Sequence, residues 1–441
     1  MRHSTRTLLF AISLATSGLA ACGGSADTQP IPAAQAVEPT APPTTNEGPP
    51  STSADSTDRD PLLFLSGRDE VVVLDTNSGE KTARAVSAMA SPDRTAVAQI
   101  VGRRVVVLDP GTGDARWDHP VPADRRVRVV APGAEHIALV DGLLATPNLP
   151  RAETNLTIVD RDGARELTLP GNFDPEAFTL DGSDLVAVEY LPAMNPDHYE
   201  VRLVDLATGT IRPVPDQPAH FPDNAPRDRM QGYARTQVAT PDGRSLYTYY
   251  SSDVPVADDH GDMYAFVHVL DLHHEEAYCI DLMPPFGTGS QPGAGRVSSP
   301  ALTLTPSGDR LLVTDRSSGA LAAIDTATLE VVAERTLEAA PIEWSPVATA
   351  SNEVLYLGLN REVLRLDATT LTTLDSVAMP SAVTGIKMDR TGEVLYAVTE
   401  RNIQVLRPDG EAIETWALPV AGAGADPAVA VPGRGAYQCA C

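Results

Sequence analysis

The 441-residue sequence has four cysteines, Cys22, Cys279, Cys439 and Cys441, too few for a fold stapled by disulfides. Cys279 stands far along the chain from the terminal pair. A Cys-Ala-Cys bridge within that pair would close a strained small ring. Lysine is nearly missing, with only Lys81 and Lys387 against 31 arginines, and aromatics make up 5% of the chain. Basic charge is also short, since the formal net charge is -26 and becomes -28 once a leader carrying Arg2 and Arg6 is removed. Such a surface excludes nucleic acid and anionic lipid headgroups as partners held by charge. No Gly-x-Ser-x-Gly elbow, Walker loop, His-Glu-x-x-His or Cys-x-x-Cys is present, so no familiar catalytic centre announces itself. Long apolar runs are missing too: the longest near the start, Leu8 to Ala15, is too short for a permanent membrane span.

That short run has a different use. Arg2 and Arg6 precede it and Leu19-Ala20-Ala21-Cys22-Gly23-Gly24 follows, the order of a secretion signal with its cleavage site. The segment resembles a bacterial lipoprotein lipobox, with residues 1–21 as signal peptide and Cys22 as the lipidated residue. A plain signal peptide with a nearby cysteine is the other reading. The lipobox resemblance implies a lipid anchor in the membrane and a place on the outer face of the cell membrane, or in the periplasm or outer membrane of a Gram-negative cell. Residues 22–60, rich in Pro, Thr, Ser and Ala, are expected to be a disordered tether. Extended, its 38 residues after the cysteine would reach about 120 Å.

From residue 61 to 441 one short pattern keeps returning. Val71 to Asp75 (VVVLD) is followed by variants ending at Asp109, Asp160, Asp205, Asp271, Asp325, Asp367 and Arg407. Their starts lie 34, 51, 45, 66, 54, 42 and 40 residues apart, the period of a four-stranded propeller blade with insertions. Each is a β-branched run ending in a turn such as Thr76-Asn77-Ser78-Gly79. A second pattern, Thr240-Pro241-Asp242-Gly243 and Thr305-Pro306-Ser307-Gly308, marks a reversal between the first two strands of a blade. These pairs of turns resemble the YVTN and lactonase-like, WD40-like β-propeller superfamily.

The expected fold is therefore all-β, a β-propeller of four-stranded blades. Eight markers give eight blades, while the resembling family more often has seven. Residues 62–65, 71–75 and 81–85 supply three strands without an inner one, and 427–433 look like an inner strand without the rest. The N- and C-terminal strands are expected to share one blade and close the ring. Each blade is expected to have its own core.

Insertions concentrate in blades 3 to 5. The connections 142–154, 192–199 and 253–264 between second and third strands are long, as are the exits 216–234 and 284–300. Strand parity sends all five to one face, away from the side where the tether arrives, and loops on a rigid scaffold are where binding usually lives. They carry His198, His220 and His260 with Asp223, Asp258, Asp259 and Asp262, residue types that bind zinc or calcium. Solvated polarity in an acidic protein is the alternative, because no known short metal spacing is met. His268, His273 and His274 read as strand and turn residues. Tyr199, Phe221, Arg227, Arg229, Tyr233, Tyr264 and Phe286 suit recognition of a protein, peptide, glycan or small molecule, or pack the loops together. The reading is a binding module without chemistry of its own. A lactonase-like metal-dependent hydrolase and a metal carrier are the competing readings, although no lactonase catalytic residue maps onto a matching motif here.

Overall fold

In a computed structural model of the chain, the structure describes residues 61–66, 70–141, 150–215, 233–240, 242–258, 261–288, 300–315, 318–337 and 347–419. All of these belong to the second of two compact units, Asp55–Cys441. Among them are 31 strands and one 3-10 turn, Pro132–Ala134.

The strands form eight antiparallel sheets arranged as a ring, an eight-bladed β-propeller. Blade 1 is β1 (Leu62–Ser66), β2 (Glu70–Asp75) and β3 (Lys81–Val86). Blade 2 is β4 (Ala88–Ala90), β5 (Val97–Val101), β6 (Arg104–Leu108) and β7 (Ala115–Pro120). Blade 3 follows with β8 (Arg125–Val130), β9 (Ile137–Asp141), β10 (Glu153–Val159) and β11 (Ala164–Pro170). Blade 4 contains β12 (Asn172–Phe178), β13 (Asp184–Leu191), β14 (His198–Asp205) and β15 (Ile211–Pro213). Blade 5 is built from β16 (Tyr233–Ala239), β17 (Ser245–Asp258), β18 (Gly261–Asp271) and β19 (Glu276–Leu282). Blade 6 has β20 (Ala301–Leu304), β21 (Arg310–Asp315), β22 (Ala320–Asp325) and β23 (Val331–Thr336). In blade 7 come β24 (Val347–Ala350), β25 (Val354–Leu359), β26 (Glu362–Asp367) and β27 (Thr373–Ala378). Blade 8 ends the ring with β28 (Val383–Met388), β29 (Leu395–Thr399), β30 (Asn402–Leu406) and β31 (Ala412–Ala417). Within every sheet, strands pair in chain order from the axis outward.

From blade 2 to blade 8 every repeat marker is the third strand of its blade, and in blade 1 it is β2, the second of three described strands. The marker strand is apolar on consecutive residues because both of its faces are covered: β22, for example, is buried from Ala320 through Ile324. Outer strands such as β27 and β31 are mostly exposed. The expectation of one core per blade is corrected by this packing. Apolar residues cluster between blades, in eight groups that follow one another around the ring, because each sheet buries both faces against its neighbours. The last group joins Leu63, Leu65, Val72 and Leu74 of blade 1 to Tyr396, Val398, Ile403 and Val405 of blade 8. The seam is thus packed by β1 and β2 themselves. The strand expected at 427–433 lies outside the described residues.

A second correction concerns blade 5. The stretch 253–264 reads as a loop in sequence, yet β17 runs on to Asp258 and β18 starts at Gly261, with Val256 opposite Met263 and Ala257 opposite Asp262. A register shift between Ser251 and Val256 separates this extended hairpin from the blade proper. β-branched and small residues at Val254, Val256 and Ala257 suit such an extension.

Candidate functional site: the axial cavity and the blades 3 to 5 sector

The residues singled out by sequence fall into three groups. Cys22, His220, Phe221, Asp223, Arg227, Arg229, Asp259 and His260 lie outside the described residues. Tyr233, Asp258 and Asp262 are placed as strand positions: Tyr233 opens β16, and Asp258 and Asp262 flank the tip of the blade-5 hairpin. The rest are seen in full. His198 opens β14, opposite Leu191, and its Nδ1 pairs with the Asp197 carboxylate. Tyr199 is 3% exposed and stacks on Tyr250 at 5.3 Å, so its ring belongs to the seam between blades 4 and 5 and not to an open surface. Phe286 is buried in the core between blades 5 and 6, and Tyr264 is half-buried. No group of three His, Cys, Asp or Glu positioned for a metal occurs among the described residues.

His268 is a buried strand residue, with its pKa lowered to about 4 by burial. His273 and His274 sit in the turn that follows, where their N–H groups donate to the Asp271 carboxylate. Cys279 pairs opposite His268 in the outer strand of blade 5, half-buried.

A cavity of about 580 Å³ runs along the propeller axis, lined by residues of all eight blades. Its lining includes Asp93, Arg94, Pro306, Asp389 and Arg390 from the turns joining first and second strands, so it opens at that end. The described ends of β9, β13 and β17, and the starts of β10, β14 and β18, lie at the other end. Its walls are mainly apolar, with Phe64, Met89, Val130, Phe178, Leu302 and Ile386 among them.

Two polar side chains stand at the inner limit of this lining, Glu176 of β12 and Gln237 of β16. Each lies three residues before the residue whose N–H closes the turn, Thr179 and Thr240. At about 3.3 Å per residue they are roughly 10 Å below the turns. Arg128 of β8 holds the same position before Ala131. The equivalent positions in other blades are Ala88, Leu302, Ala348 and Ile386. At this aligned position the polar residues are those of blades 3, 4 and 5, while one residue nearer the turns Thr303, Thr349 and Lys387 bring polar groups from blades 6, 7 and 8.

Local backbone irregularity accompanies these residues. In β12 the register shifts between Pro175 and Ala177, making Glu176 the extra residue of a bulge, and in β8 a shift between Val127 and Val129 does the same for Arg128. A bulge turns one side chain out of the strand's alternation and aims it elsewhere. Arg128 uses that freedom to reach the next blade: its Nε donates to Asp174 Oδ1 at 2.7 Å and its Nη2 to Asp174 Oδ2. This is a two-pronged, charge-neutral pair. Arg151 donates to the Phe173 carbonyl at 3.1 Å, and burial pulls its pKa down.

Glu176 is 8% exposed and accepts a hydrogen bond from Gln237 Nε2 on its Oε2. Its pKa is pushed up to about 7: burial raises it most, Arg128 pulls it back, Asp174 raises it and Gln237 lowers it. Behind it stacks an aromatic row, Tyr199, Tyr250 and Phe266, with Tyr250 on Phe266 at 5.1 Å. Burial, with the Glu176 charge added, raises the Tyr250 pKa well above its ordinary value. The sector thus offers one carboxyl group that gains or loses its proton near neutrality, at the inner end of a mainly apolar chamber.

No protein-family model and no curated protein matches the chain. Solved structures do resemble it. The dihydro-heme d1 dehydrogenase NirN in complex with DHE is 14% identical, with a TM-score of 0.51 over 83% of this chain and 76% of that one. Apo AztD from Citrobacter koseri is 10% identical, with a TM-score of 0.48 over 81% of this chain and 94% of that one. The computationally designed Ika8 protein is 11% identical, with a TM-score of 0.43 over 81% and 93%. At such identities the likeness shows a WD40-like β-propeller fold and nothing of its ligand.

Proposed function

We propose that this chain is exported, lipidated on Cys22 and held at the outer face of the cell membrane by its tether, and that its propeller is a binding module. In this reading it takes a small ligand in the axial cavity and performs no chemistry of its own. One observation carries it: Glu176 and Gln237 reach the inner end of an apolar cavity from two of the three blades that also bear the long connections. A rigid ring with a mainly apolar channel wall and a carboxyl-amide pair at its inner end has the makeup of a ligand site. The connections of blades 3 to 5 at the opposite end offer a second surface, for a protein, peptide or glycan. The metal readings, hydrolase or carrier, need His220 and His260 to join His198, and elemental analysis of tag-free protein tests them.

Ligand-observed NMR with a fragment library tests the cavity. Hits are expected on the wild type and should disappear in Ala348→Trp, whose indole would occupy the chamber. Hits indifferent to that substitution, or none at all, would sink the cavity reading. For the anchor, Cys22→Ala should move the protein from the membrane to the soluble fraction, and a wild-type protein that is soluble with an unmodified cysteine would contradict it.

A further inference from the structure

We propose that the inner end of the axial cavity binds a small, mostly apolar amine, whose ammonium group pairs with Glu176 and Gln237 while its hydrocarbon body lies against the channel wall. The proposal rests on the cavity reading above and names the class of ligand.

The argument is one of open valences. Glu176 Oε2 is engaged by Gln237, whereas its Oε1 has no hydrogen-bond partner among the described residues. Gln237 gives its Nε2 to Glu176, which leaves its own Oε1 as an acceptor, likewise without a partner among the described residues. Both side chains line the cavity. Two acceptors side by side, one of them a carboxylate, are complementary to a group with several donors, and an ammonium ion has three.

Charge points the same way. Arg128 is the nearest cation, and both prongs of its guanidinium are taken by Asp174. A ligand carboxylate would therefore meet Glu176 with its neighbouring guanidinium already paired, the cavity's other cations, Arg94, Lys387 and Arg390, standing in blades 2 and 8, while an ammonium ion replaces the proton that burial holds on Glu176. The acidic surface of the protein, with a formal net charge of -26, also concentrates cations around it. Volume fits too: about 580 Å³ accommodates a small-molecule ligand, and walls of Phe64, Val130, Phe178 and Leu302 favour an apolar body.

Binding should depend on pH. The groups facing Glu176 are Arg128 from β8, Asp174 from its own strand, Gln237 from β16 and Tyr250 from β17, and of these Glu176 is the one brought to about 7. An aliphatic amine stays protonated throughout. Affinity should consequently fall as pH drops through 7 and Glu176 takes up its proton.

The test uses phenylalkylamines of two to four methylenes, each beside its matched alcohol and carboxylate, titrated calorimetrically into the full propeller. At pH 8 the amines should bind about tenfold or more tightly than the matched alcohols, and between pH 8 and 5.5 they should weaken by about tenfold or more. Glu176→Gln, an isosteric change, should erase the preference for the amine over the matched alcohol and its pH dependence. The wild-type pH series needs no variant, so a misfolded Glu176→Gln would not shield the idea. Alcohols that bind as well as amines and vanish in Ala348→Trp would overturn the amine and leave the cavity reading standing. No binding by any of the compounds would overturn the amine proposal, and a blank fragment screen beside it would take the cavity reading as well.

Discussion

The aspartate that ends seven of the eight marker strands is there for the turn that follows. Asp367 Oδ1 accepts from Thr369 N at 3.0 Å, Thr370 N at 2.7 Å and Thr370 Oγ1 at 2.9 Å, and Asp205, Asp325 and Asp75 repeat the arrangement on their own turns. The pKa of Asp367 is lowered by the Thr370 N–H and hydroxyl, that of Asp325 by Arg310 first and then the turn N–H groups. A carboxylate whose folded pKa is depressed adds stability above its unfolded value, near 3.9, and that contribution fades as pH falls through the folded value. Stability should hence drop below about pH 4, through several turns at once. Asp367→Ala should lower stability by about 1 kcal/mol at pH 7, and Asp367→Asn by less, since the amide oxygen still accepts. Glu176 has the opposite sign. Its folded pKa is raised, so it favours the fold below about 4.5 and opposes it increasingly as pH rises through 7. Glu176→Gln should therefore unfold at higher urea than wild type at pH 8 and match it at pH 4.5. Equal midpoints at both values would contradict the buried, charge-averse setting of this carboxyl.

At the level of strands, what a sequence shows depends on how local the cause is. The marker strand and its Asp turn need only five to nine neighbouring residues, so both were readable, as was the reversal at Thr240-Pro241-Asp242-Gly243. The blade-5 extension was not, because Asp-Val-Pro-Val-Ala-Asp-Asp-His-Gly-Asp reads as a polar connection; pairing across the hairpin decides it. Bulges are harder still: one extra residue leaves composition and period unchanged. A signal existed all the same. Aligning inner strands on their turns sets Arg128, Glu176 and Gln237 against Ala88, Leu302, Ala348 and Ile386, and the contrast marks the sector. A join between strands gives a prediction at this scale. Asp315, fully buried at the end of β21, accepts from Gly287 N at 2.6 Å and Ser318 Oγ at 3.0 Å, tying the exit of blade 5 to blade 6. Asp315→Ala would leave the Gly287 N–H without that acceptor and should cost roughly 2–3 kcal/mol. Gly287 itself has φ +73°, and a methyl there would come 2.6 Å from the Tyr264 carbonyl oxygen. Gly287→Ala should be destabilising too, and a urea midpoint unmoved by either change would show the join to be dispensable.

For the ring as a whole the weak point is where blade 8 meets blade 1. Seven blades have four strands, and blade 1 has three among the described residues, with β1 nearest the axis. Every other junction is bridged by a connection that leads directly from one blade into the next, whereas this one joins opposite ends of the chain. The described part of the seam is held by apolar packing that includes Tyr396 with Leu63, Leu65 and Leu74, flanked by Trp416 at 5.7 Å from Tyr396. Trp416 also lies over the turn of blade 1: an added methyl on Gly79 would stand 2.8 Å from its ring, and Gly79 has φ +71°. Both partners are thus fitted to each other across the junction. Trp416→Ala removes a large half-buried ring and should lower stability by roughly 2–3 kcal/mol, and Gly79→Ala should act in the same direction by collision and by strain at positive φ. If residues 427–433 complete blade 1 as its inner strand, truncation after residue 426 should add to the effect of Trp416→Ala, because one loss touches the outer part of the seam and the other its axial edge. Hydrogen exchange reads the location: faster exchange should appear first in β1 to β3 and β28 to β31, with blades 4 to 6 unchanged. Uniform loss of protection around the ring would mean that the propeller opens as one cooperative unit, and that its seam is no weaker than its other junctions.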